Sequence, residues 1–374
     1  MELTATEYLI VLLGVFALIQ VFYYLYYFAK IKPQNNSQTD TRQGVSVIIC
    51  ARNELKNIQR NLQEVLSQTH SNFEVIVVND GSTDGTYDYL EDLAKEQSKL
   101  RVLHLDIDER FHRGKKFAQT IGIKAAKHDT LLLTDADCRP LSSDWISIMA
   151  AQYENAETEL VLGLGVIERK NNFVNWVSQL ENFHTMMMYI GLANRKNAYM
   201  GVGRNLSYQR SLFFKVKGFA KHQHILSGDD DLFVNETATK SNVAICLDSN
   251  AATESVASES FPKWIQQKLR HFSTGRAYKP GHKRILGLYS FSLLGFYASL
   301  IGVAVLASSV QNYALIAAVF GFRFLIQAAV IYRNMKALNF LQYFWLFPFM
   351  DLGILFIQLF IGSRGYFSKP QQWN

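Results

Sequence analysis

The chain has 374 residues, 49% of them hydrophobic, and a formal net charge of +6. This length allows one large domain or two ordinary ones, and the hydrophobic content is close to the average for globular proteins. The positive charge does not predict nucleic-acid binding, because the basic residues cluster beside apolar stretches and the sequence has no nucleic-acid motif. The three cysteines are widely spaced, which is typical of a reducing compartment and of cysteines that pack as small apolar residues.

Four stretches of the chain are dense in apolar residues, and each is about long enough to cross a hydrocarbon core of ~30 Å as a helix. They are residues 8–29, 285–308, 313–332 and 340–361. The first lacks a basic leader and a small-residue cleavage site, so we interpret it as a retained membrane anchor and not as a secretory signal. Within the later stretches we predict that Arg323 and Asp351 form a buried pair that fastens helices.

Basic residues flank the central part of the chain. Lys30 and Lys32 follow the first apolar stretch, and the second is preceded by Lys279, His282, Lys283 and Arg284. The positive-inside tendency therefore places the central part in the cytoplasm. Four full crossings would put the tail, with Arg364 and Lys369, on the other side, against the same tendency. One C-terminal segment can instead lie in the interface or re-enter the membrane, so the side of the tail stays open.

These patterns divide the chain into four parts. Residues 1–32 are a transmembrane anchor, 33–43 a polar linker, 44–275 a mixed globular domain, and 276–374 a membrane region with about three hydrophobic helices. In the globular domain, apolar strands alternate with helical patterns of 10–15 residues. This alternation predicts an α/β fold with a mostly parallel sheet and helices on both faces.

Carboxylates follow three of the first four predicted strands, at Glu54, Asp80 and the pair Asp135 and Asp137. Because parallel strands end at the same edge of a sheet, we expect these groups to meet at the rim where ligands bind. The hard oxygen ligands of Asp135 and Asp137 suit Mg²⁺ or Mn²⁺ held against a diphosphate. Asp80 can accept hydrogen bonds from a base or a ribose, whereas Glu54 fits either this site or a helix N-terminus.

Further candidates lie outside the strand ends. Lys115 opens a helix, where an ammonium together with the helix end can hold a diphosphate. Asn205, in a glycine-rich loop, fits a contact to a sugar hydroxyl and equally the fixing of a loop. Asp229 and Asp230 precede an apolar helix, which they can cap, and one of them can act as a general base whose pKa is raised by like charges.

A last candidate segment surrounds Gln267 and Arg270. It is an amphipathic stretch just before the second apolar span, a position typical of an interfacial membrane helix. The Arg270 guanidinium can also neutralise a leaving diphosphate. Both roles stay open for this segment.

Taken in their order along the chain, the motifs resemble those of the family 2 glycosyltransferases. The resemblance is to the membrane-bound inverting members in particular, which are related to cellulose, chitin, hyaluronan and poly-N-acetylglucosamine synthases. The resemblance covers residues 45 to about 275. Its motifs include VSVIICARNE from Val45, NDGSTD from Asn79, TDAD from Thr134, the acidic triplet from Asp229, and Gln267-x-x-Arg270. It implies a GT-A fold, which is Rossmann-like, in a cytoplasmic domain flanked by transmembrane helices.

The resemblance also implies roles for single residues. Ala51, Arg52, Glu54, Asp80, Lys115 and Asp135 would bind the nucleotide-sugar donor, usually a UDP-sugar. Asp137, with Asp135, would hold Mg²⁺ or Mn²⁺, and Asn205, Gln267 and Arg270 would contact the acceptor or the pyrophosphate. Asp229 is the predicted base, by alignment on Leu232, and Asp230 is the alternative.

Two departures from the family pattern put processive synthesis in doubt: the triplet replaces Thr-Glu-Asp, and His271 stands where processive members have Trp. We therefore predict a membrane-bound inverting hexosyltransferase of the cell envelope, in a bacterial inner membrane, that acts on a lipid, a lipid-linked glycan or a polysaccharide. A processive synthase, a nucleotidyltransferase and a non-catalytic membrane subunit are the alternatives.

Overall fold

The computed structural model describes residues 4–32, 43–106, 114–225 and 227–367. The predicted linker 33–43 lies outside these residues except for Gln43. The helices in the described ranges are α1 (Ala5–Phe22), α2 (Leu55–Leu66), α3 (Thr86–Glu96), α4 (Lys115–Ala125), α5 (Trp145–Ala151), α6 (Phe173–Ala193), α7 (Arg210–Lys215), α8 (Asp231–Thr237), α9 (Phe261–Thr274), α10 (Pro280–Leu306), α11 (Val310–Ala337) and α12 (Phe347–Phe367).

The strands form two sheets. They are β1 (Val45–Ala51), β2 (Phe73–Asp80), β3 (Leu100–Leu105), β4 (Thr130–Asp135), β5 (Cys138–Pro140), β6 (Leu160–Leu162), β7 (Gly165–Ile167), β8 (Leu206–Gln209), β9 (Val243–Ile245) and β10 (Thr253–Ser255). The large sheet has the order β3-β2-β1-β4-β8-β6-β9, and the small one β5-β10-β7. Strands β3, β2, β1 and β4 are parallel, while β8 is antiparallel to both β4 and β6.

Strand β1 lies near the centre of the large sheet, and all seven of its residues are buried. A continuous apolar run of this kind is expected for a parallel strand covered by helices on both faces. Its alternate residues pack into different cores: Ile48 and Cys50 into one, Val47 and Ile49 into the other. The predicted α/β class with a mostly parallel sheet is confirmed.

The core on one face of the sheet continues into the apolar helices. The same buried cluster contains Ile48 and Ile76 of the sheet, Tyr189 of α6, and Tyr289 and Ile331 of α10 and α11. Helix α6 therefore forms the layer through which the α/β domain packs on the apolar helices. The carboxyl edge of the sheet is fixed relative to those helices by this shared core.

Four segments are long and apolar enough to cross a membrane: Ala5–Lys30, Pro280–Leu306, Val310–Ala337 and Leu341–Arg364. They coincide with the four stretches predicted from the sequence. Helix α1 packs along α10 and α11. At the centre of the bundle, Arg323 Nη2 lies 2.5 Å from Asp351 Oδ2, and Arg323 Nη1 donates to Gln327 Oε1 at 3.0 Å. The predicted helix-fastening pair is confirmed.

Candidate active site

The loops that follow β1 and β2 are tied to each other. The backbone N–H of Asn53 donates to Ser82 Oγ at 2.9 Å, and that of Thr83 donates to Asn53 Oδ1 at 2.9 Å. Asp84 accepts from the backbone N–H groups of Leu55 and Thr86, so it stabilises the starts of both α2 and α3. These bonds give the rim of the sheet a fixed shape, and they give Asp84 the capping role expected from the sequence.

The candidate nucleotide residues lie at this rim. Ala51 ends β1 beside Asn79 of β2, and Arg52 Nη1 lies 4.0 Å from Asp80 Oδ2 at the end of β2. Glu54 accepts a hydrogen bond from Asn57 Nδ2 at 2.6 Å, and burial raises its pKa. Residues 107–113, which follow β3, lie outside the described residues.

Lys115, at the first position of α4, connects two of the predicted functional carboxylates. Its ammonium lies 2.7 Å from Asp135 Oδ1 and 2.8 Å from Asp229 Oδ2. Asp135 ends β4, and Asp229 precedes α8, far along the chain. Folding therefore brings the predicted donor-binding acid and the predicted base to the two sides of a single cation.

Asp135 and Asp137 form a candidate site for a divalent cation. One oxygen of each carboxylate and the Cys138 sulfur lie within 4.8 Å of one another. Cys138 Sγ donates to Asp137 Oδ1, and burial raises the pKa of this thiol. Burial and the charge of Asp135 also raise the pKa of Asp137. Two hard carboxylates that repel each other at a strand end fit Mg²⁺ or Mn²⁺.

The three consecutive acids have different surroundings. Asp230 accepts from the backbone N–H of Gly203 and that of Asp231, both at 2.7 Å, and so caps α8. Asp231 accepts from the hydroxyl groups of Thr274 and Tyr278, which ties the start of α8 to the end of α9. Asp229 is the acid whose side chain is paired with Lys115.

These surroundings separate the pKa values of the acids. Burial opposes ionisation of Asp229, but the Lys115 ammonium outweighs it and the pKa falls below its usual range. Burial and the charges of Asp229 and Asp231 raise the pKa of Asp230 to about 7. Asp229 is therefore the ionised member at neutral pH, and Asp230 is the one that changes its charge near neutrality.

One cavity of about 1000 Å³ is bordered by Glu54, Lys115, Asp135, Asp137 and the acids at residues 229–231, whereas the rim residues Ala51, Arg52 and Asp80 are not on its lining. Helix α9 forms another of its walls, with Trp264, Gln267, Arg270 and His271 on the lining. Desolvation within the cavity, followed by the charges of Lys268 and Arg270, lowers the pKa of His271 well below its usual range, so its imidazole is neutral although its side chain is open to the cavity. The amphipathic stretch predicted before the second span is thus a helix that faces the site.

Asn205 is the one predicted site residue to which the structure gives a different place. Its side chain is fully buried: Oδ1 accepts from Trp145 Nε1 at 3.0 Å, and Nδ2 donates to the carbonyls of Leu164 and Ala251. It does not line the cavity. Of the two roles open for Asn205, these contacts support the fixing of the glycine-rich loop and give no support to the acceptor contact.

Sequence reasoning missed the contribution of α6. This helix supplies Glu181, Asn182 and His184 to the cavity wall, and Glu181 forms an ion pair with Lys268 of α9. Asn182 Oδ1 accepts from Arg204, which orients another lining side chain. The polar residues Glu181, Asn182 and His184, just before the apolar run 186–193, were the available signal.

Comparison with known proteins agrees with this geometry. Residues 46–216, which include the strand ends Glu54, Asp80, Asp135 and Asp137, match Glycosyl transferase family 2. The chain carries a family 2 glycosyl transferase domain. The resemblance recognised in the sequence is confirmed.

Curated relatives of this glycosyl transferase domain differ in their acceptors. Poly-beta-1,6-N-acetyl-D-glucosamine synthase of Staphylococcus epidermidis is 28% identical over 196 residues, which are 51% of this chain and 45% of that protein. Glucosyl-dolichyl phosphate glucuronosyltransferase of Haloferax volcanii is 26% identical over 188 residues, 47% of this chain and 55% of that protein. The chain thus spans about half the length of the curated relatives it matches.

Among solved structures, the mannosyltransferase PcManGT of Pyrobaculum calidifontis, in complex with GDP-Man and Mn²⁺, matches with a TM-score of 0.57 and 20% identity. The match covers 91% of this chain and 99% of that one. At this identity the likeness concerns the fold. The predicted GT-A architecture of the glycosyl transferase domain is confirmed.

Proposed function

We propose that this protein is a membrane-bound inverting glycosyltransferase that moves a sugar from a nucleotide-sugar, with UDP-sugars as the first donors to test, to a lipid-linked acceptor. The observation that carries the proposal is the position of Lys115 between Asp135 and Asp229, in a cavity that also borders the apolar helices. A donor held at Asp135 and an acceptor hydroxyl held at Asp229 would meet beside this cation.

The donor would lie along the rim of the sheet. Ala51, Arg52, Glu54 and Asp80 would contact the nucleotide, since they end the neighbouring strands β1 and β2 or follow them directly. Asp137 and Asp135 would hold Mg²⁺ or Mn²⁺. When bound, this ion supplies positive charge to the departing diphosphate. Gln267 and Arg270 face the same space from α9 and would bind the pyrophosphate or the acceptor.

Asp229 would act as the general base. Its low pKa keeps it ionised, and the Lys115 ammonium fixes its orientation. When diphosphate binds, its negative charge competes for the same ammonium, which raises the basicity of Asp229 as the acceptor arrives. The acceptor hydroxyl then gives its proton to Asp229 and attacks the anomeric carbon from the face opposite the leaving diphosphate. The bond to the nucleotide breaks and the configuration inverts.

Asp230 is the alternative base, because a pKa of about 7 suits proton transfer at neutral pH. Against it, both of its oxygens already accept backbone hydrogen bonds that position the Gly203 loop and α8. We therefore assign Asp230 to positioning and Asp229 to proton transfer.

A processive polysaccharide synthase is the second candidate, favoured by the similarity to poly-beta-1,6-N-acetyl-D-glucosamine synthase. The neutral His271 on the cavity wall, in place of a large indole, argues against a stacking platform for a growing polymer. A nucleotidyltransferase is disfavoured by the family match. We place the catalytic domain on the cytoplasmic side of a bacterial inner membrane, because Lys30, Lys32 and Lys283 flank it.

The test is nucleotide release from a panel of UDP- and GDP-sugars by the full chain in membranes, with mass spectrometry of the extracted lipids. We expect one donor to give both free nucleotide and a glycolipid with a single added sugar. A ladder of added sugars would favour the processive candidate. The enzymatic proposal would be overturned if no donor gave nucleotide release, or if release were unchanged in Asp137→Ala and Asp229→Asn.

A further inference from the structure

The last apolar segment of the chain begins and ends at the α/β domain. At its start, Arg169 Nη2 donates to the Asn339 carbonyl at 2.7 Å, and the rings of Trp345 and Trp176 lie 5.4 Å apart. At its end, α12 packs against α9, and a Cβ placed on Gly362 would lie 3.7 Å from Phe272 Cζ. Between these points Asp351 contacts Arg323, which lies about 20 Å from the C-terminal end of α11. The segment therefore enters the bundle and returns.

The returning helix α12 forms the apolar end of the catalytic cavity. Leu355 and Leu359 of α12 face Phe291 and Leu294 of α10 across it. Phe291, Leu294 and Leu359 are between 40% and 60% exposed. These large apolar side chains line the cavity without being covered by other residues, so the space between α10 and α12 can receive an apolar chain.

Positive charge separates this apolar end from the carboxylates. Lys268 and Arg270 of α9 and Lys283 at the start of α10 line the cavity between them. In the described part of the chain Lys268 pairs with Glu181, whereas neither Arg270 nor Lys283 has a carboxylate partner. The cavity thus presents apolar, cationic and acidic zones in sequence along its length.

Polar atoms without partners lie inside the wall of the cavity. Trp264 and His184 both line the cavity, with 1% and 7% of their surfaces exposed. Trp264 Nε1 and His184 Nε2 have no hydrogen-bond partner among the described residues, and neither has the Gln358 side-chain oxygen on α12. Burying such groups without a partner is unfavourable, so this part of the wall lacks some of its polar contacts.

We propose that the acceptor is a glycolipid phosphate, whose hydrocarbon chain lies between α10 and α12, whose phosphate binds Arg270 and Lys283, and whose terminal sugar hydroxyl reaches Asp229. This inference rests on the proposed function for the role of Asp229, but the binding of the chain and the phosphate does not. The order of the three zones matches the order of chain, phosphate and sugar in such a molecule. A neutral glycan would leave both the cationic and the apolar zones without a counterpart.

The test is photolabelling of the full-length protein in nanodiscs with hexadecyl phosphate that carries a diazirine near the end of its chain. We expect labelled peptides from residues 286–294 and 354–359. Lys283→Gln should reduce labelling severalfold, while Arg284→Gln, its exposed neighbour outside the cavity lining, should not. Leu355→Trp should fill the chain path and reduce labelling, and Leu352→Trp, one turn away on the outer side of α12, serves as its control.

Competition identifies the ligand. Unlabelled hexadecyl phosphate should compete, and neither hexadecanol nor inorganic phosphate should do so at the same concentration. Equal competition by hexadecanol, competition by inorganic phosphate, or labelling spread evenly over the apolar helices would overturn the proposal. Because labelling needs no turnover, the experiment gives the same answer in Asp137→Ala. It is thus separate from the nucleotide-release assay, whose failure would instead overturn the proposed function.

Discussion

The Lys115 ammonium lies 2.8 Å from Asp229 Oδ2, and its other short contact is with Asp135 Oδ1 at 2.7 Å. A single cation thus balances an acid from the end of β4 and an acid from the start of α8. Anything that draws Lys115 toward one side changes the electrostatic environment of the other. With a donor bound at Asp135, as we propose, this arrangement would couple donor binding to the basicity of Asp229 without any movement of the backbone.

Replacing Lys115 should therefore reduce turnover more than donor affinity. In Lys115→Met, Asp229 loses its fixed orientation and the acids at residues 229–231 lose their shared counterion. We expect nucleotide release to fall on the order of 10²-fold, the usual cost of removing one preorganised charged group. Steady-state kinetics measure the effect. Lys124→Met, on the exposed side of the same helix, should keep wild-type activity, and equal losses in the two variants would contradict the assignment.

The two candidate bases can be separated by pH. Asp229 has a lowered pKa and is ionised throughout the neutral range, so kcat/KM should have no acidic limb near pH 7. Asp230, facing Asp229, Asp231 and Lys115, has a pKa of about 7 and would give such a limb if it were the base, with activity rising as pH increases. Asp229→Asn should lower kcat about 10²- to 10⁴-fold. If the wild type shows a limb near pH 7 and the residual activity of Asp230→Asn does not, Asp230 is the base.

Activity should also depend on a divalent cation held by Asp137. Chelation with EDTA is expected to abolish nucleotide release, and Mg²⁺ or Mn²⁺ should restore it in the wild type. Asp137→Asn should need much higher metal concentrations for the same rate, because it removes one of the two adjacent carboxylates. Asp92→Asn, at an exposed surface pair with Lys95, is the control. Full activity in EDTA would exclude Asp135 and Asp137 as a metal site.

The succession of strands and helices along the chain, and the position of these acids at the ends of strands, could be predicted because both are local properties of the sequence. A buried apolar run such as Ile48 to Cys50 specifies a parallel strand, and the polar residue that follows must lie at the rim. Asn205 could not be assigned in the same way. Its partners, Trp145, Leu164 and Ala251, are distant in sequence, so only the folded structure shows that its amide is fully used.

The membrane-facing half of the site was also beyond prediction from local patterns. Helix α6 contributes Glu181 and His184, but its apolar run is equally typical of an ordinary buried helix. Similarly, residues 340–361 have the length and composition of a crossing span, and their return to the α/β domain depends on contacts such as Trp176 with Trp345. Composition determines that such a segment is apolar, whereas tertiary contacts determine its path.

The pair of Arg323 and Asp351 should stabilise the helix bundle without a role in catalysis. Both side chains are at least 97% buried, so Arg323→Leu alone leaves an unpaired carboxylate and should destabilise the protein by about 3–5 kcal/mol. The double variant Arg323→Leu/Asp351→Leu should recover much of that loss, because it removes both charges. Unfolding in detergent, followed for both single variants and the double variant, gives the coupling energy. Simple addition of the two single losses would argue against a direct interaction.

The return of α12 to the α/β domain predicts the side of the C-terminal tail. Since Asn339 and Gly362 both lie beside elements of the α/β domain, the three remaining spans leave residue 363 on the side of that domain. This placement also brings Arg364 into agreement with the positive-inside tendency. A membrane-impermeant maleimide should label Ser363→Cys from the same side as Ser98→Cys, an exposed site on the α/β domain. It should label Gln311→Cys, at the exposed start of α11, from the opposite side. The three native cysteines are buried and should contribute little background. Labelling of Ser363→Cys from the side of Gln311→Cys would show that the last segment crosses the membrane, and would remove α12 from the wall of the cavity.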